Sequence, residues 1–377
     1  MKLLILSSFR YQSISGQGLI LTNTINYLLK KEIEFEIIYF RLDNNYLVET
    51  QSLIKEINNF ILPVLNTKQI IKSLLNLRLD NSECQFLNQI NDISHNYQSI
   101  LLFGSAFDPL ISKIPKFSKV PVIYSITDSI TLFEINRVTF FYNFRILIAK
   151  KIEKNILTSN FKFIVYVGFK DMKCAKKMVN DDLSKIVQIP LGVNSDIFKP
   201  SENLNINKIP IILFTGILSY MPNQEACIYI INNILPKIKN RYLFKIVGKN
   251  PSVQLLNLAT LNKSINVVGY VDDISAEYRN ADIYLCPMRS GAGMKNKILE
   301  ALSSGLPVIT SDIEKYSFEN IPGGISFCTS DEDVVDKVEF YLKNPLIRTI
   351  DGKIGREFVL NSMTWEIRSN KLFELLK

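Results

Sequence analysis

Residues 282–310 read DIYLCPMRSGAGMKNKILEALSSGLPVIT. The runs Ile283–Cys286 and Val308–Thr310 at its two ends are rich in β-branched and aromatic residues, which is typical of strands buried in a parallel sheet. Between them lie a glycine-rich turn and a helical segment. The stretch therefore predicts the strand, turn, helix and strand that repeat in a doubly wound α/β fold.

The glycine turn and the helix after it indicate a site for a phosphorylated ligand. Gly291 and Gly293 let the backbone approach a ligand and leave N–H groups at the start of a helix, where the macrodipole favours anions. Lys297 and Glu300 are three residues apart and share a helix face, so an ammonium for a diphosphate and a carboxylate for sugar hydroxyls can serve one ligand. The alternative is a solvated ion pair between them.

The same alternation of apolar runs and helical segments extends through both halves of the chain, which predicts two open parallel sheets with right-handed crossovers. We predict twelve strands, at Leu3–Leu6, Phe35–Phe40, Ile100–Phe103, Val120–Ile126, Phe163–Val167, Ile186–Ile189, Ile211–Phe214, Phe244–Val247, Ile265–Val268, Ile283–Cys286, Val308–Thr310 and Ile325–Cys328. Two domains with a cleft between them fit a length of 377 residues.

Several motifs together resemble one family. The loop at 290–300 resembles the donor-site motif Gly-x-Gly-x-Lys-x-Lys-x-Leu-Glu of retaining GT-B glycosyltransferases of group 1, also called family 4. Residues 190–200 resemble the interdomain signature of that family, and residues 214–223 its first nucleotide-binding strand and loop. With two further strands at 242–248 and 267–273, the resemblance covers residues 186–330 in order.

The resemblance implies the GT-B fold, with two Rossmann-like doubly wound domains facing a central cleft. Residues 1–190 would form the acceptor domain, 191–209 the linker and 210–360 the nucleotide-sugar-binding domain. Residues 361–377 would form a helix that returns to the amino-terminal domain.

The resemblance also implies transfer of a sugar from a nucleoside diphosphate sugar to an acceptor hydroxyl, with retention at the anomeric carbon. Glu300 would bind the ribose hydroxyls, and Lys297 with the amides near Gly293 and Met294 would bind the diphosphate. Lys295 and Arg289 are secondary candidates for the phosphates. The predicted donor site also includes Gly216, Gly248, Tyr270, Val271 and Gly291.

Two departures from the family pattern change these assignments. Ala292 stands where the common motif has a first glutamate that holds the transferred sugar. The basic residues usual after the first nucleotide-binding strand are replaced by Ile217 or Leu218 and by the run 221–223. A diphosphate still needs a cation, so we assign that task to Lys297.

The amino-terminal half offers weaker candidates. Gly16 and Gly18 follow the first strand, but a polar run separates them from that strand and a third glycine is missing. Both features disfavour a dinucleotide fingerprint. This turn could lend amides to the donor or acceptor, or simply start a helix. Asp128 could orient the acceptor hydroxyl or act as a helix N-cap.

Composition excludes other classes. Five widely spaced cysteines without a Cys-x-x-Cys motif indicate neither a disulfide framework nor a zinc site, and the single histidine, His95, disfavours His-dependent catalysis. We expect no metal and no cofactor other than the donor substrate, and a cytoplasmic protein.

The net charge of +8 is concentrated in the amino-terminal half. Residues 137–151 combine aromatic and basic side chains, as do surfaces that rest on anionic lipid, although a core helix with a solvated basic edge gives the same pattern. No nucleic-acid-binding signature accompanies the charge. We therefore expect a glycan or lipid-linked acceptor, peripheral contact with the inner face of the membrane, and a role in bacterial surface polysaccharide or glycolipid assembly. The alternatives are a sugar-nucleotide 2-epimerase of the same fold and a noncatalytic GT-B binding subunit.

Overall fold

The computed structural model describes residues 1–9, 11, 16–40, 81–106, 108, 110–135, 142–179, 183–201, 208–289, 294–318 and 320–377. The chain divides into two units. The amino-terminal unit comprises Met1–Pro190 and Arg368–Lys377, and the carboxy-terminal unit comprises Leu191–Ile367.

The amino-terminal unit contains a parallel six-stranded sheet with the order β2-β1-β3-β4-β5-β6. Its strands are β1 (Lys2–Ser7), β2 (Glu34–Tyr39), β3 (Ser99–Phe103), β4 (Val122–Ser125), β5 (Phe163–Tyr166) and β6 (Ile186–Gln188). β3 and β4 are buried along their whole length because helices cover both faces of a parallel sheet. This explains why these strands are continuous apolar runs.

The described helices of this unit are α1 (Gly16–Lys30), α2 (Asn81–Ile93), α3 (Ile114–Phe117), α4 (Ile130–Ile135), α5 (Tyr142–Leu157) and α6 (Phe169–Lys176). Two short 3₁₀ turns lie at Ser94–Asn96 and Leu183–Lys185. Helices α2, α3, α5 and α6 all contribute side chains to one apolar core with the sheet.

The carboxy-terminal unit contains a second parallel sheet with the order β12-β11-β10-β7-β8-β9. Its strands are β7 (Ile211–Thr215), β8 (Leu243–Val247), β9 (Ile265–Gly269), β10 (Ile283–Cys286), β11 (Val308–Ser311) and β12 (Ile325–Cys328). The chain reverses direction across the sheet between the neighbours β7 and β10. In open α/β sheets such a switch point marks the ligand crevice, at the carboxyl ends of the strands.

The helices of this unit are α7 (Met221–Tyr229), α8 (Val253–Thr260), α9 (Ile274–Arg279), α10 (Asn296–Ser303), α11 (Asp331–Lys343) and α12 (Pro345–Ser362). Helix α7 continues through a π-helical segment, Ile230–Ile234, and a 3₁₀ turn, Leu235–Lys237, and a further 3₁₀ segment spans Asp312–Ser317. The described part of the predicted linker packs within this unit: Val193 pairs with Thr364, and the carbonyl of Phe198 accepts a hydrogen bond from Ser303 at 2.6 Å.

The last helix, α13 (Trp365–Glu374), returns the chain to the amino-terminal unit from Arg368 onward. There the hydroxyl of Tyr27 donates to Asn370 at 2.5 Å, and the Tyr27 and Phe373 rings lie 6.3 Å apart. The two doubly wound sheets, the twelve strands found in the described residues and the returning helix confirm the predicted fold class.

Candidate functional site

The predicted donor loop leads into α10 at the carboxyl end of β10. Gly291 and Gly293 lie outside the described residues, as does Ala292. Met294 is buried, and Lys295 is the N-cap of α10 with an extended backbone conformation. The described end of the loop therefore places the amides that precede and open α10 next to the switch point between β7 and β10.

Lys297, in the first turn of α10, points toward β7. Its Nζ donates to Oδ1 of Asn223 at 2.7 Å, lies 3.5 Å from the sulfur of Met288, and sits 4.4 Å from the centre of the Phe214 ring. Among the described residues, these hydrogen-bond partners carry no negative charge. The predicted alternative, an ion pair with Glu300, is not the contact that the ammonium makes.

Asn223 fixes Lys297 because it is itself fixed. Its Nδ2 donates to the carbonyl of Ile217 at 3.0 Å, which leaves Oδ1 to accept from Lys297. A Cβ at Gly216 would stand 2.6 Å from that Nδ2, and a Cβ at Gly248 would stand 1.7 Å from the carbonyl oxygen of Gly216. Both glycines are thus needed for the packing of the loops after β7 and β8.

Glu300 lies one turn further along α10 and is partly exposed. Its Oε2 accepts a hydrogen bond from the hydroxyl of Tyr278, on α9, at 2.8 Å. Burial raises the pKa of Glu300 above its usual range, while the Tyr278 hydrogen bond and the charge of Lys297 lower it. Within the described ranges, the hydrogen bond to this carboxylate comes from Tyr278.

Tyr270 and Val271, the residues predicted to border the base, directly follow β9. Tyr270 is 60% exposed and Nζ of Lys249 lies 4.6 Å from the centre of its ring. Ile217 is 54% exposed on the loop after β7, where the resemblance predicts a basic residue, and Leu218 is buried. The loops after β7 and β9 thus present apolar and aromatic surface.

Arg289 has a different environment from Lys297. Its guanidinium lies 4.9 Å from the centre of the Tyr229 ring, and both residues line a cavity of about 230 Å³ at the carboxyl ends of β10, β11 and β12. Asp312 and Asp331 also line this cavity. Met288 borders both the cavity and Lys297.

In the amino-terminal unit, Asp128 lies at the carboxyl end of β4, just before α4. The hydroxyl of Ser129 accepts from the amide of Leu132 at 3.1 Å, so the N-cap of α4 is Ser129 and the N-cap interpretation of Asp128 is wrong. The amide of Ser129 donates to Oδ1 of Asp171 at 2.8 Å. Burial and the nearby charge of Asp128 raise the pKa of Asp171 to about 7.

Gly16 is exposed at the first position of α1, and Gly18 is buried in the first turn. Among the described residues, the nearest atom to a Cβ at Gly16 would belong to Thr127, at 3.9 Å, so packing against these residues does not require a glycine there. His95 is exposed in the 3₁₀ turn before β3, and all five cysteines are free thiols.

Sequence reasoning did not find Asn223, Tyr278, Thr215 or Met288. Asn223 was within the quoted motif at 214–223 but was considered only as a replacement for a basic residue.

Across the part of the chain that the structure describes, no group of His, Cys, Asp and Glu side chains is arranged to hold a metal ion. Within the same described ranges, no helix combines the length and apolar character needed to cross a bilayer.

Residues 209–344 match the model of the family described as Glycosyl transferases group 1. The match runs from the residues just before β7 to the end of α11, and so includes Asn223, Lys297 and Glu300. This part of the chain is therefore similar to the glycosyl transferases of group 1.

Two curated relatives agree with this assignment. The phosphatidyl-myo-inositol mannosyltransferase of Mycobacterium leprae is 25% identical over 205 residues, which cover 51% of this chain and 53% of the relative. The UDP-Gal:alpha-D-GlcNAc-diphosphoundecaprenol alpha-1,3-galactosyltransferase of Escherichia coli is 33% identical over 159 residues, or 37% of this chain and 40% of the relative. The matched stretches thus span about half the length of these relatives or less.

The crystal structure of HepE from Anabaena, in complex with UDP, resembles this protein with a TM-score of 0.69 and 13% sequence identity. The likeness covers 100% of this chain and 99% of HepE. Together with the two parallel sheets, it confirms the GT-B fold.

Proposed function

We propose that this protein is a metal-independent, retaining glycosyltransferase that transfers a sugar from a nucleoside diphosphate sugar to an acceptor hydroxyl. The proposal is supported by the GT-B fold, by the similarity of residues 209–344 to the glycosyl transferases of group 1 and by relatives whose names describe sugar transfer. The observation that carries it is the pairing of Lys297 with neutral Asn223. An ammonium whose described hydrogen-bond partners are neutral is suited to bind an anion at the switch point.

We assign one role to each set of residues in the proposed donor site. Lys297 and the amides at the start of α10 bind the diphosphate, with Lys295 and the glycine turn at Gly291 and Gly293 as further contributors. Glu300 accepts hydrogen bonds from the ribose hydroxyls. The base lies against Tyr270 and Val271, near Gly216 and Gly248.

The reaction breaks the bond between the anomeric carbon and the phosphate oxygen, and the electron pair stays on the leaving diphosphate. The acceptor oxygen bonds the same face of that carbon, and its proton goes to the leaving phosphate. Lys297 and the helix amides stabilise the developing negative charge, which is the step at which electrostatic preorganisation contributes most. On the acceptor side we assign Asp128 to orient the hydroxyl, and Gly16 and Gly18 to contact the substrates with backbone amides.

Activity against a panel of UDP-sugars and GDP-sugars with glycan and lipid-linked acceptors tests this proposal. We expect transfer with retained anomeric configuration, read by NMR, and expect Lys297→Ala to reduce it by about 100-fold with an unchanged melting temperature. Lys263→Ala, which removes an exposed lysine between α8 and β9, is the matched control. Turnover of the donor to a 2-epimer without acceptor supports the epimerase alternative, and nucleotide binding without any turnover supports a binding subunit.

We further propose a lipid-linked or glycan acceptor at the inner face of the membrane, within bacterial surface polysaccharide or glycolipid assembly. The support is a lysine face on α5 and α6, formed by Lys150, Lys151, Lys154, Lys170 and Lys173, all exposed. The acids of these two helices, Glu153 and Asp171, are buried. Leu147, 64% exposed on α5, adds an apolar contact to the face; residues 136–141, part of the predicted basic segment, lie outside the described residues.

Sedimentation with vesicles tests the lysine face. The wild type is expected to bind vesicles of phosphatidylglycerol more tightly than vesicles of phosphatidylcholine, and less so at high salt. Replacing Lys150, Lys151 and Lys154 with serine removes about 1 kcal/mol of attraction per lysine. The control replaces the exposed Lys239, Lys263 and Lys353 of the other unit with serine, because the net charge changes equally. Equal loss of binding in both variants, or none in either, contradicts a localised lysine face.

A further inference from the structure

Three buried hydroxyl groups form a line that ends at Glu300. Tyr284 of β10 lies 2.9 Å from Oγ1 of Thr215 on β7, and Thr215 lies 2.6 Å from the hydroxyl of Tyr278 on α9. Tyr278 in turn lies 2.8 Å from Oε2 of Glu300 on α10. All three hydroxyl-bearing side chains are buried. The line therefore crosses the switch point between β7 and β10 and reaches the predicted ribose-binding carboxylate.

The direction of the hydrogen bonds follows from counting protons. Each hydroxyl has one proton to donate, and an ionised carboxylate can only accept. Tyr278 therefore donates to Glu300, since its other acceptor, the carbonyl of Lys297, is further away at 3.4 Å. Thr215 must then donate to Tyr278, and Tyr284 must donate to Thr215. Ionised Glu300 orders the whole line.

The aromatic rings of Tyr278 and Tyr284 make the packing contacts, and their hydroxyls make the hydrogen bonds. The Tyr278 ring lies 5.5 Å from the rings of both Phe198 and Tyr284, contacts that a phenylalanine would also make. An apolar core at these positions would need no hydroxyl chain. The buried polar groups are retained together because each satisfies the next.

We propose that Tyr278 is a positioning residue of the nucleotide site: aligned by Thr215 and Tyr284, it holds Glu300 through Oε2 so that Oε1 is presented to the ribose of a nucleoside diphosphate. The inference rests on the proposed function of that site. Tyr278 itself is buried and does not contact the ligand. Among the described residues, no hydrogen bond to Oε1 is found, which leaves that oxygen for the ligand.

The charge state of Glu300 gives this role a distinctive readout. Burial raises the pKa of Glu300, and the hydrogen bond from Tyr278 opposes that rise, as does the charge of Lys297 on the same helix. Tyr284 of β10 also faces this carboxylate, and burial together with the charge of Glu300 raises the pKa of the tyrosine. Loss of the Tyr278 hydroxyl therefore raises the pKa of Glu300 further. Protonated Glu300 is a poorer hydrogen-bond acceptor. As the pH is lowered, affinity for the ribose should therefore begin to decrease at a higher pH in the variant than in the wild type.

The test is calorimetric titration of the full-length protein with UDP and with GDP between pH 5 and pH 9. Tyr278→Phe is expected to bind whichever nucleotide the wild type prefers about tenfold more weakly at pH 7, with the acid limb of the affinity profile moved to higher pH. Thr215→Val keeps the Tyr278 hydroxyl but removes its alignment, and is expected to have a smaller effect in the same direction.

A matched control exists in the other unit. Tyr166→Phe removes a buried tyrosine–glutamate hydrogen bond of 2.9 Å, to Glu153, and is expected to lower the melting temperature without changing nucleotide affinity. If Tyr278→Phe lowers only the melting temperature, and its affinity profile matches that of the wild type, Tyr278 is structural and the inference is wrong. If the wild type binds neither nucleotide at any pH, the proposed function fails and the inference fails with it.

Discussion

The two units each pair a glutamate with a buried tyrosine near the carboxyl ends of parallel strands, but the two pairs are built differently. Glu153 is fully buried and accepts hydrogen bonds from Ser129, Thr131 and Tyr166, each at 2.9 Å. Glu300 is partly exposed and is held by Tyr278. A carboxylate with several protein donors ties elements together, whereas a carboxylate with one donor among the described residues retains capacity for a ligand.

The cations differ in the same way. Arg145 on α5 pairs with the buried Glu134 at 2.8 Å, so that charge is compensated within the unit. Lys297 is bound by an amide oxygen instead. Among the described contacts, the fold thus pairs Arg145 with a carboxylate and holds Lys297 by a neutral amide.

The largest expected effect comes from exchanging these carboxylates for amides. If Glu300 binds the ribose as proposed, Glu300→Gln is expected to weaken UDP or GDP binding by about 100-fold with little change in melting temperature, because the lost charge-assisted hydrogen bonds are then those to the ligand. Glu153→Gln is expected to lower the free energy of unfolding by about 3 kcal/mol with unchanged affinity, since its hydrogen bonds are internal. Calorimetric titration and chemical denaturation of both variants measure the two effects. If both variants show the same changes in nucleotide affinity and in the free energy of unfolding, Glu300 and Glu153 do not differ in role.

A smaller effect is expected from Asp171, a further buried acid of the amino-terminal unit. Its pKa is raised to about 7, so the protonated form is favoured by folding. Its contribution to stability is fully present below the unfolded pKa near 4 and is lost as the pH rises through about 7. Asp171→Asn keeps an oxygen for the amide of Ser129 and cannot ionise. We expect the free energy of unfolding, measured by denaturation, to decrease by about 2 kcal/mol between pH 5 and pH 8 in the wild type but not in the variant.

The smallest effect is expected at Asn223, which positions Lys297. Asn223→Ala frees the ammonium from its 2.7 Å hydrogen bond but leaves its charge, so we expect about fivefold weaker binding of UDP or GDP. Binding of the corresponding nucleoside, which lacks phosphates, should be unchanged. A variant that loses nucleoside and nucleotide binding equally would show instead that Asn223 supports the loop after β7, through its hydrogen bond to Ile217.

Most of the fold was predictable because parallel strands are buried on both faces and appear as short, continuous apolar runs. The run Ile100–Phe103, for example, is identifiable without any knowledge of its neighbours, and β3 indeed spans Ser99–Phe103. The positions of Lys297 and Glu300 on one helix were also predictable, because helical spacing is local. The N-cap of α4 was not, because Asp128 and Ser129 are adjacent and both suit that role.

The sequence by itself determined two doubly wound sheets and placed a glycine turn, a lysine and a glutamate at the end of one strand. Only the tertiary structure decided what holds those side chains: Asn223 is 74 residues from Lys297, and Tyr278 is 22 residues from Glu300. Such pairings arise where crossovers bring the ends of distant strands together, and residue spacing along the chain carries no record of them. Whether a charge is satisfied by the fold or left for a ligand depends on these contacts.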